Sequence, residues 1–275
     1  DPLTALETAR AGLELINQEV EDLPVTAVIY SHSHGDHFGG VRGVVDPERL
    51  EAGKVEIIAP IGFMQEAVSE NVYAGNAMNR RLFYQYGVLL PASPFGHAGQ
   101  GLMQNVAAGN LGLLPPTYVV EKYIEEREVD GVRMIFQNTP GTEAPAEMNT
   151  YFPDLKAFWA AENIVGTIHN IYTLRGAVYR DQLIWRDGLK VVRDLEPEIL
   201  TSTHTRAIAG KDEVMKRLTG YMDQLTLTYD QTLRGILGGL TPDDIRHRIY
   251  IPEHMQEIPE NAQSYGEIIH FPEAI

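Results

Sequence analysis

The 275-residue chain contains no cysteine, which excludes disulfide bonds, thiolate metal sites and cysteine nucleophiles. His, Asp and Glu remain as the strong metal ligands. Positive charge is also scarce, since 22 Lys and Arg face 38 Asp and Glu for a formal charge of −16. No nucleic-acid partner is expected, because a phosphate-binding surface needs clustered Lys and Arg. An anionic substrate must therefore find a local positive site.

Long apolar runs are absent as well. No run approaches the roughly 18 residues of a membrane span, and no signal peptide is recognisable. The cellular compartment stays open, because a cysteine-free chain suits both the cytoplasm and the periplasm. At 44% hydrophobic residues the chain has enough apolar side chains for a sizeable core.

Apolar periodicity predicts that helices and strands alternate along the chain. We expect an amphipathic helix over residues 1–20 that opens with a capping box of Thr4 and Glu7. The other predicted elements are strands over 25–30 and 55–60, a mainly helical segment over 62–86, a hairpin turning at 130–131, strands over 148–152 and 156–163, a helix over 181–195, a strand from 198, and a helical region over 211–248 with a break near 238–242. This alternation indicates an α/β layered fold.

The stretch "VIYSHSHGDHFGG" at residues 28–40 places three histidines and one aspartate within six positions. His32 and His34 are two apart, so that they can share one face of an extended segment. Asp36 and His37 follow on the turn and can point to a neighbouring spot. The pattern H-x-H-x-D-H, after a strand and before a glycine pair, indicates a metal site. Four ligands in one loop could serve two ions.

One loop cannot complete two coordination shells, since each Zn²⁺ takes about four donors. The motif resembles that of the metallo-β-lactamase superfamily, whose αββα sandwich holds one or two metal ions at strand ends. The resemblance implies further ligands after later strands. "NTPGTEAPAEMNTYF" offers Glu143 and Glu147 where the superfamily has a third histidine, "AFWAAEN" offers Glu162, and "EILTSTHTRAI" offers His204.

Glutamate in place of that histidine, together with "AAEN" and "STHTR", is similar to the alkylsulfatase branch, dizinc enzymes that hydrolyse long-chain alkyl sulfate esters. The resemblance implies two Zn²⁺ per chain. The implied ligands are His32, His34 and Glu143 for the first ion, Asp36, His37 and His204 for the second, and Glu162 as the bridge between them. Glu147 is the weaker candidate in its loop.

Asp36, Glu143 and Glu162 with one hydroxide would nearly neutralise two Zn²⁺ ions. A sulfate monoanion would then need a cation from the protein, and Arg175 in "HNIYTLRGA" is the candidate. The resemblance also points to Arg175 as a sulfate clamp, with Tyr118 and Asn149 as further hydrogen-bond donors to the substrate. The candidate catalytic residues are Asp36 and Arg175.

Residues 82–120 contain no Asp, Glu, Lys or Arg in 39 positions, and Gly and Pro interrupt them repeatedly. Such a segment is too broken for a membrane span. It could line a channel for an alkyl chain. The alternative is an ordinary loop that packs on the core or on a partner subunit.

We therefore expect an α/β chain with a metallo-β-lactamase-like αββα sandwich, forming a catalytic domain over residues 1–210, and a helical region over 211–275. The resemblance assigns that region to dimerisation, which implies a homodimer. Only one helix and one strand precede the metal loop, so N-terminal strands of the first sheet are expected to be missing. No room is left for the C-terminal sterol-carrier-like domain of related enzymes, and a fragment is expected.

The predicted function is dizinc hydrolysis of sulfate esters of medium-chain or long-chain alcohols to alcohol and sulfate. Because a fold does not fix a function, two alternatives stay open. One is another hydrolase of the same fold, acting on lactams, thioesters or phosphodiesters. The other is a zinc-binding subunit or paralogue without catalytic activity.

Overall fold

Two β-sheets lie at the centre of the computed structural model, which describes residues 1–102, 105 and 107–275. The first sheet is parallel, in the order β1-β2-β3, with β1 at Ala27–Ile29, β2 at Glu56–Pro60 and β3 at Tyr118–Val120. The second follows the order β4-β5-β6-β7-β8-β9, with β4 at Ile124–Val129, β5 at Val132–Asn138, β6 at Met148–Phe152, β7 at Ala157–Trp159, β8 at Ile199–Thr201 and β9 at Ile208–Ala209.

Helices flank the two sheets. Before β3 the described chain forms α1 (Leu6–Glu19), α2 (Gly35–Phe38), α3 (Pro47–Glu51), α4 (Phe63–Val68) and α5 (Gly75–Gln85). After β7 it forms α6 (Gln182–Arg193), α7 (Lys211–Leu237), α8 (Pro242–Arg246) and α9 (Glu253–Gln256). No helix in these described ranges is both long and apolar enough to cross a bilayer.

The strand period of two explains the layers. On β2, Ile57 packs with Phe63 and other side chains of the α2 to α4 region, whereas Ile58 packs with Phe136 and Met148 of the second sheet. Alternate residues of one strand therefore bury apolar surface against a helix layer and against the other sheet.

The outer face of the second sheet carries the largest apolar cluster. Phe158 and Leu200, on adjacent strands, pack with Trp185 of α6 and Leu218 of α7. The order of layers is helix, sheet, sheet, helix, and this confirms the predicted αββα sandwich. In the described residues the first sheet has three strands.

The first helix forms as predicted, but the capping box predicted for it is wrong. Its N-cap is Ala5, which makes no side-chain cap hydrogen bond. The Glu7 carboxylate accepts from the backbone N–H of Asn110 at 2.9 Å and from its side-chain amide at 2.6 Å. The Glu7 carboxylate thus bonds to Asn110, which is distant in sequence, and not to the start of its own helix as the local pattern predicted.

Candidate metal centre

The predicted ligands meet at one edge of the sandwich, where several strands end. His32 and His34 follow β1, and Asp36 and His37 lie in α2, which starts directly after His34. The other three come from loops after later strands: Glu143 between β5 and β6, Glu162 after β7, and His204 after β8. The topology therefore brings residues from four separate parts of the chain together.

Two backbone positions at this edge lie in the left-handed region, which residues other than glycine seldom adopt. They are Ala161, directly before Glu162, with φ 50°, and His204 itself, with φ 55°. Such conformations persist only where surrounding structure imposes them, and they cluster at functional sites.

The glycine pair after the histidine motif has a steric cause. A Cβ at Gly39 would lie 2.2 Å from the carbonyl oxygen of Thr4, and one at Gly40 would lie 2.1 Å from that of Pro2. The N-terminal segment crosses so close to α2 that no side chain fits there.

The first ligand group consists of His32, His34, Glu143 and Glu162, all buried, with ligand atoms within 4.8 Å of one another. Oε2 of Glu143 lies 3.0 Å from Nδ1 of His34 and 3.5 Å from Nε2 of His32. Oε2 of Glu162 lies 3.2 Å from the same His32 nitrogen. Two imidazoles and two carboxylates thus converge on one point.

The second group consists of Asp36, His37 and His204. Oδ2 of Asp36 lies 3.4 Å from Nε2 of His37 and 3.5 Å from Nε2 of His204. Glu162 reaches this group with the same Oε2 atom, at 3.1 Å from His37 and 3.5 Å from His204. One carboxylate oxygen therefore stands between the two groups.

The donor set fits divalent metal ions. Imidazole and carboxylate are ligands that suit zinc. Among the described residues, Nε2 of His32 and Oε2 of Glu143 are buried without a hydrogen-bond partner, and both atoms belong to the first group. Because unpaired buried polar atoms are costly, a cation between them accounts for their arrangement.

The carboxylates of the second group raise the proton affinity of two histidines, whereas burial lowers that of a histidine in the first group. Burial alone would lower the pKa of His37, but the carboxylates of Asp36 and Glu162 outweigh it and raise the pKa to about 10. Burial likewise opposes the effect of Glu162 and Asp36 on His204, whose pKa is raised to about 9. Burial and the neighbouring His37 lower the pKa of His32 to about 4. A metal ion that binds to His37 and His204 displaces their protons.

Asp1 and Ser31 orient two of the imidazoles through the ring nitrogens that face away from the centre. The Asp1 carboxylate accepts a hydrogen bond from the backbone N–H of Ser31 at 2.7 Å, and its Oδ2 lies 3.2 Å from Nδ1 of His37. The Ser31 hydroxyl lies 2.8 Å from Nδ1 of His32. Partners on the far ring nitrogens fix the orientation of metal-binding histidines, so both rings are held with Nε2 facing the centre.

Arg180 and His169 are parts of the centre that the sequence did not single out. The Arg180 guanidinium donates to the backbone carbonyl of Glu143 at 2.6 Å and also to the Glu143 carboxylate. It further lies 2.9 Å from Nδ1 of His169, whose Nε2 lies 3.0 Å from Oε1 of Glu162. His169 occurs in the quoted "HNIYTLRGA", but its spacing matches no ligand pattern, and Arg180 belongs to no motif.

Glu147 lies in the same loop as Glu143, but its carboxylate accepts hydrogen bonds from neighbouring protein groups. Its carboxylate accepts from the Thr142 hydroxyl at 2.8 Å and from the backbone N–H groups of Ala144 at 3.0 Å and Glu162 at 3.1 Å. Burial, together with the nearby carboxylate of Glu143, raises its pKa well above the usual value. Glu147 thus braces the loop, while Glu143 faces the histidines.

The centre opens into a cavity of about 590 Å³. Arg175 lines this cavity, and its Nη2 lies 3.3 Å from Nε2 of His34. The predicted uncharged segment contributes much of the wall, and the apolar lining comprises Phe38, Ala67, Val68, Val72, Leu82, Leu102, Ala107, Leu111 and Leu113. Residues 103, 104 and 106 of that segment lie outside the described residues. The cavity is therefore charged at the metal centre and apolar beyond it.

Tyr118 and Asn149 do not occur among the described residues that line the cavity. The Tyr118 hydroxyl donates to Glu125, and the guanidinium of Arg127 lies 3.6 Å from the centre of its ring. Asn149 is 1% exposed, with its amide bonded to Gln137 at 3.2 Å. These positions do not support substrate binding by either residue.

Comparison with known proteins agrees with this geometry. The chain is 42% identical to a linear primary-alkylsulfatase from Pseudomonas sp. over 98% of its length, and 40% identical to an (R)-specific secondary-alkylsulfatase from Pseudomonas sp. over 89%. These alignments cover 40% and 38% of the relatives, so the chain spans about two fifths of their length. They confirm the predicted likeness to alkylsulfatases.

Solved structures agree as well. The stereoselective inverting sec-alkylsulfatase Pisa1 from Pseudomonas sp. superposes with a TM-score of 0.91 at 37% identity, covering the whole of this chain and 44% of that one. A metallo-beta-lactamase family protein from Thermus thermophilus shares the fold, with a TM-score of 0.53 at 16% identity over 94% of this chain and 80% of that chain.

The family model of the metallo-beta-lactamase superfamily matches residues 1–147 of this chain. This range includes six of the candidate ligands and loop glutamates, from His32 to Glu147. The chain therefore belongs to the metallo-beta-lactamase superfamily.

Proposed function

We propose that this chain is a dizinc hydrolase that cleaves sulfate esters of medium-chain or long-chain alcohols into alcohol and sulfate. The observation that carries the proposal is the position of Glu162, whose Oε2 lies 3.2 Å from His32 of one ligand group and 3.1 Å from His37 of the other. The likeness to alkylsulfatases supports the substrate class. The cavity supports it too, because a charged end and an apolar wall match the two halves of an alkyl sulfate.

Each of the two ions has its own ligands in this proposal. His32, His34 and Glu143 would hold the first, Asp36, His37 and His204 would hold the second, and Glu162 would serve both. Zinc, when bound, acts as a Lewis acid and activates water for attack. Arg180 holds Glu143 by hydrogen bonds to its backbone carbonyl and its carboxylate. Glu147 accepts from the backbone N–H of Ala144, next to Glu143, and so keeps Glu143 facing the histidines.

Arg175 is assigned to the sulfate group. The carboxylates of the centre neutralise most of the charge of two zinc ions, so an anionic substrate needs a further cation. A guanidinium can donate two parallel hydrogen bonds to sulfate oxygens and stabilise the charge that develops as the ester bond breaks. Asp36, at the cavity wall beside His37 and His204, is placed to orient the attacking water as well as to hold metal.

The alkyl chain is assigned to the apolar wall. Burial of each CH₂ group contributes about 0.8 kcal/mol, so the wall favours longer chains until the cavity is full. An uncharged wall also excludes water from the tail of the substrate, while the head group stays at the metal centre.

The proposal is tested by sulfate release from dodecyl sulfate, measured for the purified chain as isolated, after chelation, and after zinc is added back. Activity that chelation removes and zinc restores supports the proposal. Asp36→Asn is compared with the wild type, since asparagine keeps the shape of the aspartate side chain but loses its charge, and this variant should lose the activity. Turnover of a lactam, a thioester or a phosphodiester without turnover of alkyl sulfates would assign another hydrolase activity, and zinc binding without turnover of any of them would contradict catalysis.

We also propose a homodimer that uses residues 211–275. The last turns of α7 expose the apolar side chains Leu233, Ile236 and Leu237, the last at 80%. A second copy that covers these side chains would remove apolar surface from water. Sedimentation equilibrium should give two chains per particle, and Leu237→Glu should weaken the association. A monomer at every concentration tested would contradict this part.

A further inference from the structure

Glu70 is a buried carboxylate that the proposed mechanism leaves without a role. It lies in a single π-helical turn, Ser69–Tyr73, where the N–H of Ala74 donates to the carbonyl of Ser69 at 2.9 Å. Single π turns inserted between α-helical segments are rare and frequently lie at functional sites. Glu70 is 9% exposed, and its Oε1 has no hydrogen-bond partner among the described residues. Its Oε2 lies 3.4 Å from Nε2 of His34.

The same π turn contacts the metal loop at a second point. The Asn71 amide donates to the backbone carbonyl of Ala67 at 2.9 Å and reaches that of Ser33 at 3.5 Å. A Cβ at Gly35 would lie 2.9 Å from Oδ1 of Asn71. The residues on both sides of His34 therefore pack directly against the π turn, which fixes the distance between His34 and Glu70.

Nε2 of His34 has two neighbours with opposite hydrogen-bonding character. Glu70 can only accept at this nitrogen, whereas Arg175, with Nη2 at 3.3 Å, can only donate. One ring nitrogen cannot donate to the first and accept from the second at the same time. A metal ion on Nδ1 leaves the ring proton on Nε2, so the metal-bound ring donates to the carboxylate and no longer accepts from the guanidinium.

We propose that Glu70 is a positioning residue for the metal-bound form of His34, an inference that rests on the proposed metal centre. Glu70 accepts the Nε2 proton and holds the ring with Nδ1 facing Glu143. The same hydrogen bond frees the Arg175 guanidinium from His34, so that it can turn to the anionic group of the substrate. Metal binding and preparation of the anion site are thereby coupled through one imidazole.

The test is the zinc affinity of Glu70→Gln, measured by competition with a chromophoric chelator. Loss of an outer carboxylate partner typically weakens metal binding about 10-fold to 100-fold. We expect that loss for one of two zinc ions and an unchanged affinity for the other. Glu66→Gln, which removes a carboxylate of α4 that accepts from Gln65, is the matched control and should bind as the wild type does.

A double variant separates positioning from folding. In a His34→Ala background, Glu70→Gln should cause no further loss of zinc affinity, because the ring that Glu70 holds is gone. In the cobalt(II)-loaded protein, the visible absorption of the ion should change in Glu70→Gln and return towards that of the wild type in Glu70→Asp, which keeps the charge. An additive loss of affinity, or loss of both ions together, would overturn the proposal.

The outcomes distinguish this inference from the function on which it rests. A wild-type chain that binds no zinc would reject the metal centre itself. A wild-type chain that binds two zinc ions, with Glu70→Gln binding them equally well, would reject only the role of Glu70.

Discussion

The guanidinium of Arg180 binds Glu143 twice, once at the backbone carbonyl and once at the carboxylate. Arg180 is 2% exposed, so this contact is formed away from water. Burial would raise the pKa of Glu143, but Arg180 and His34 outweigh it and keep the carboxyl ionised. A proposed metal ligand is therefore held in its charged form by a neighbouring cation before any ion arrives.

Arg180→Met should destabilise the metal-free protein. The substitution keeps an unbranched side chain but leaves the Glu143 carboxylate buried without its cation, which typically costs about 3–5 kcal/mol. Urea unfolding followed by circular dichroism measures the loss. Arg186→Met is the control, because Arg186 pairs with Asp187 at the surface and an exposed pair contributes about 1 kcal/mol or less. Equal effects of the two substitutions would contradict the role of Arg180.

The two ligand groups predict how metal is lost. His32→Ala and His204→Ala should each remove about one of two zinc equivalents, because each belongs to a different group. Elemental analysis of folded protein gives the ratio. Glu143→Gln should lower the zinc content, whereas Glu147→Gln should leave it unchanged and reduce stability instead. The reverse result would mean that the wrong glutamate of the loop was chosen.

The metal loop was predictable because its signal is local. His32, His34, Asp36 and His37 lie within six positions after an apolar strand, so spacing alone placed them together. The sequence could not choose between Glu143 and its loop neighbour, since the choice depends on which carboxylate faces backbone N–H groups and which faces histidines. That difference arises only when the segment after β1 pairs with the segment before β6, at His32 and Glu147, and the backbone N–H of Glu162 reaches the Glu147 carboxylate.

Other parts of the site depend on contacts between distant positions. Arg180 meets Glu143 across 37 residues of sequence, and Glu7 leaves its predicted cap for a partner 103 residues away. Neither contact has a local signature. Tyr118 was assigned to the substrate from the resemblance alone, yet its hydroxyl bonds to Glu125 in the strand that follows. The layered fold was predictable from the alternation of strands and helices, because apolar residues recur along the sequence with the period of a strand or of a helix.

Arg175→Ala should lower kcat/KM for alkyl sulfates about 100-fold or more, comparable to the loss of one preorganised donor to an anionic transition state. Metal content should not change. Arg175→Lys should recover only part of the activity, because an ammonium keeps the charge but lacks the planar fork. Steady-state kinetics with metal analysis of the same samples checks both. Near-normal turnover of Arg175→Ala would move the search for the anion site to Arg206, which follows the candidate ligand His204 by two positions.

The apolar wall predicts a dependence on chain length. KM should fall about fourfold for each added CH₂ from hexyl to dodecyl sulfate, which corresponds to about 0.8 kcal/mol of binding free energy per buried CH₂, and should then level off. Val68→Phe places a larger side chain on the cavity wall and should move the plateau to shorter chains. Val178→Phe, at an exposed position outside the cavity lining, should leave it in place. A KM that does not vary with chain length would indicate that the wall serves only packing.

Anomalous diffraction at the zinc edge, from crystals of the zinc-loaded chain, tests the two-ion arrangement most directly. We expect two peaks about 3.5–4 Å apart, the spacing typical of two-metal sites. One should lie among His32, His34 and Glu143, the other among Asp36, His37 and His204, and the Glu162 carboxylate should lie between them. A single peak, or two peaks that do not share Glu162, would contradict the dizinc centre on which the proposed hydrolysis depends.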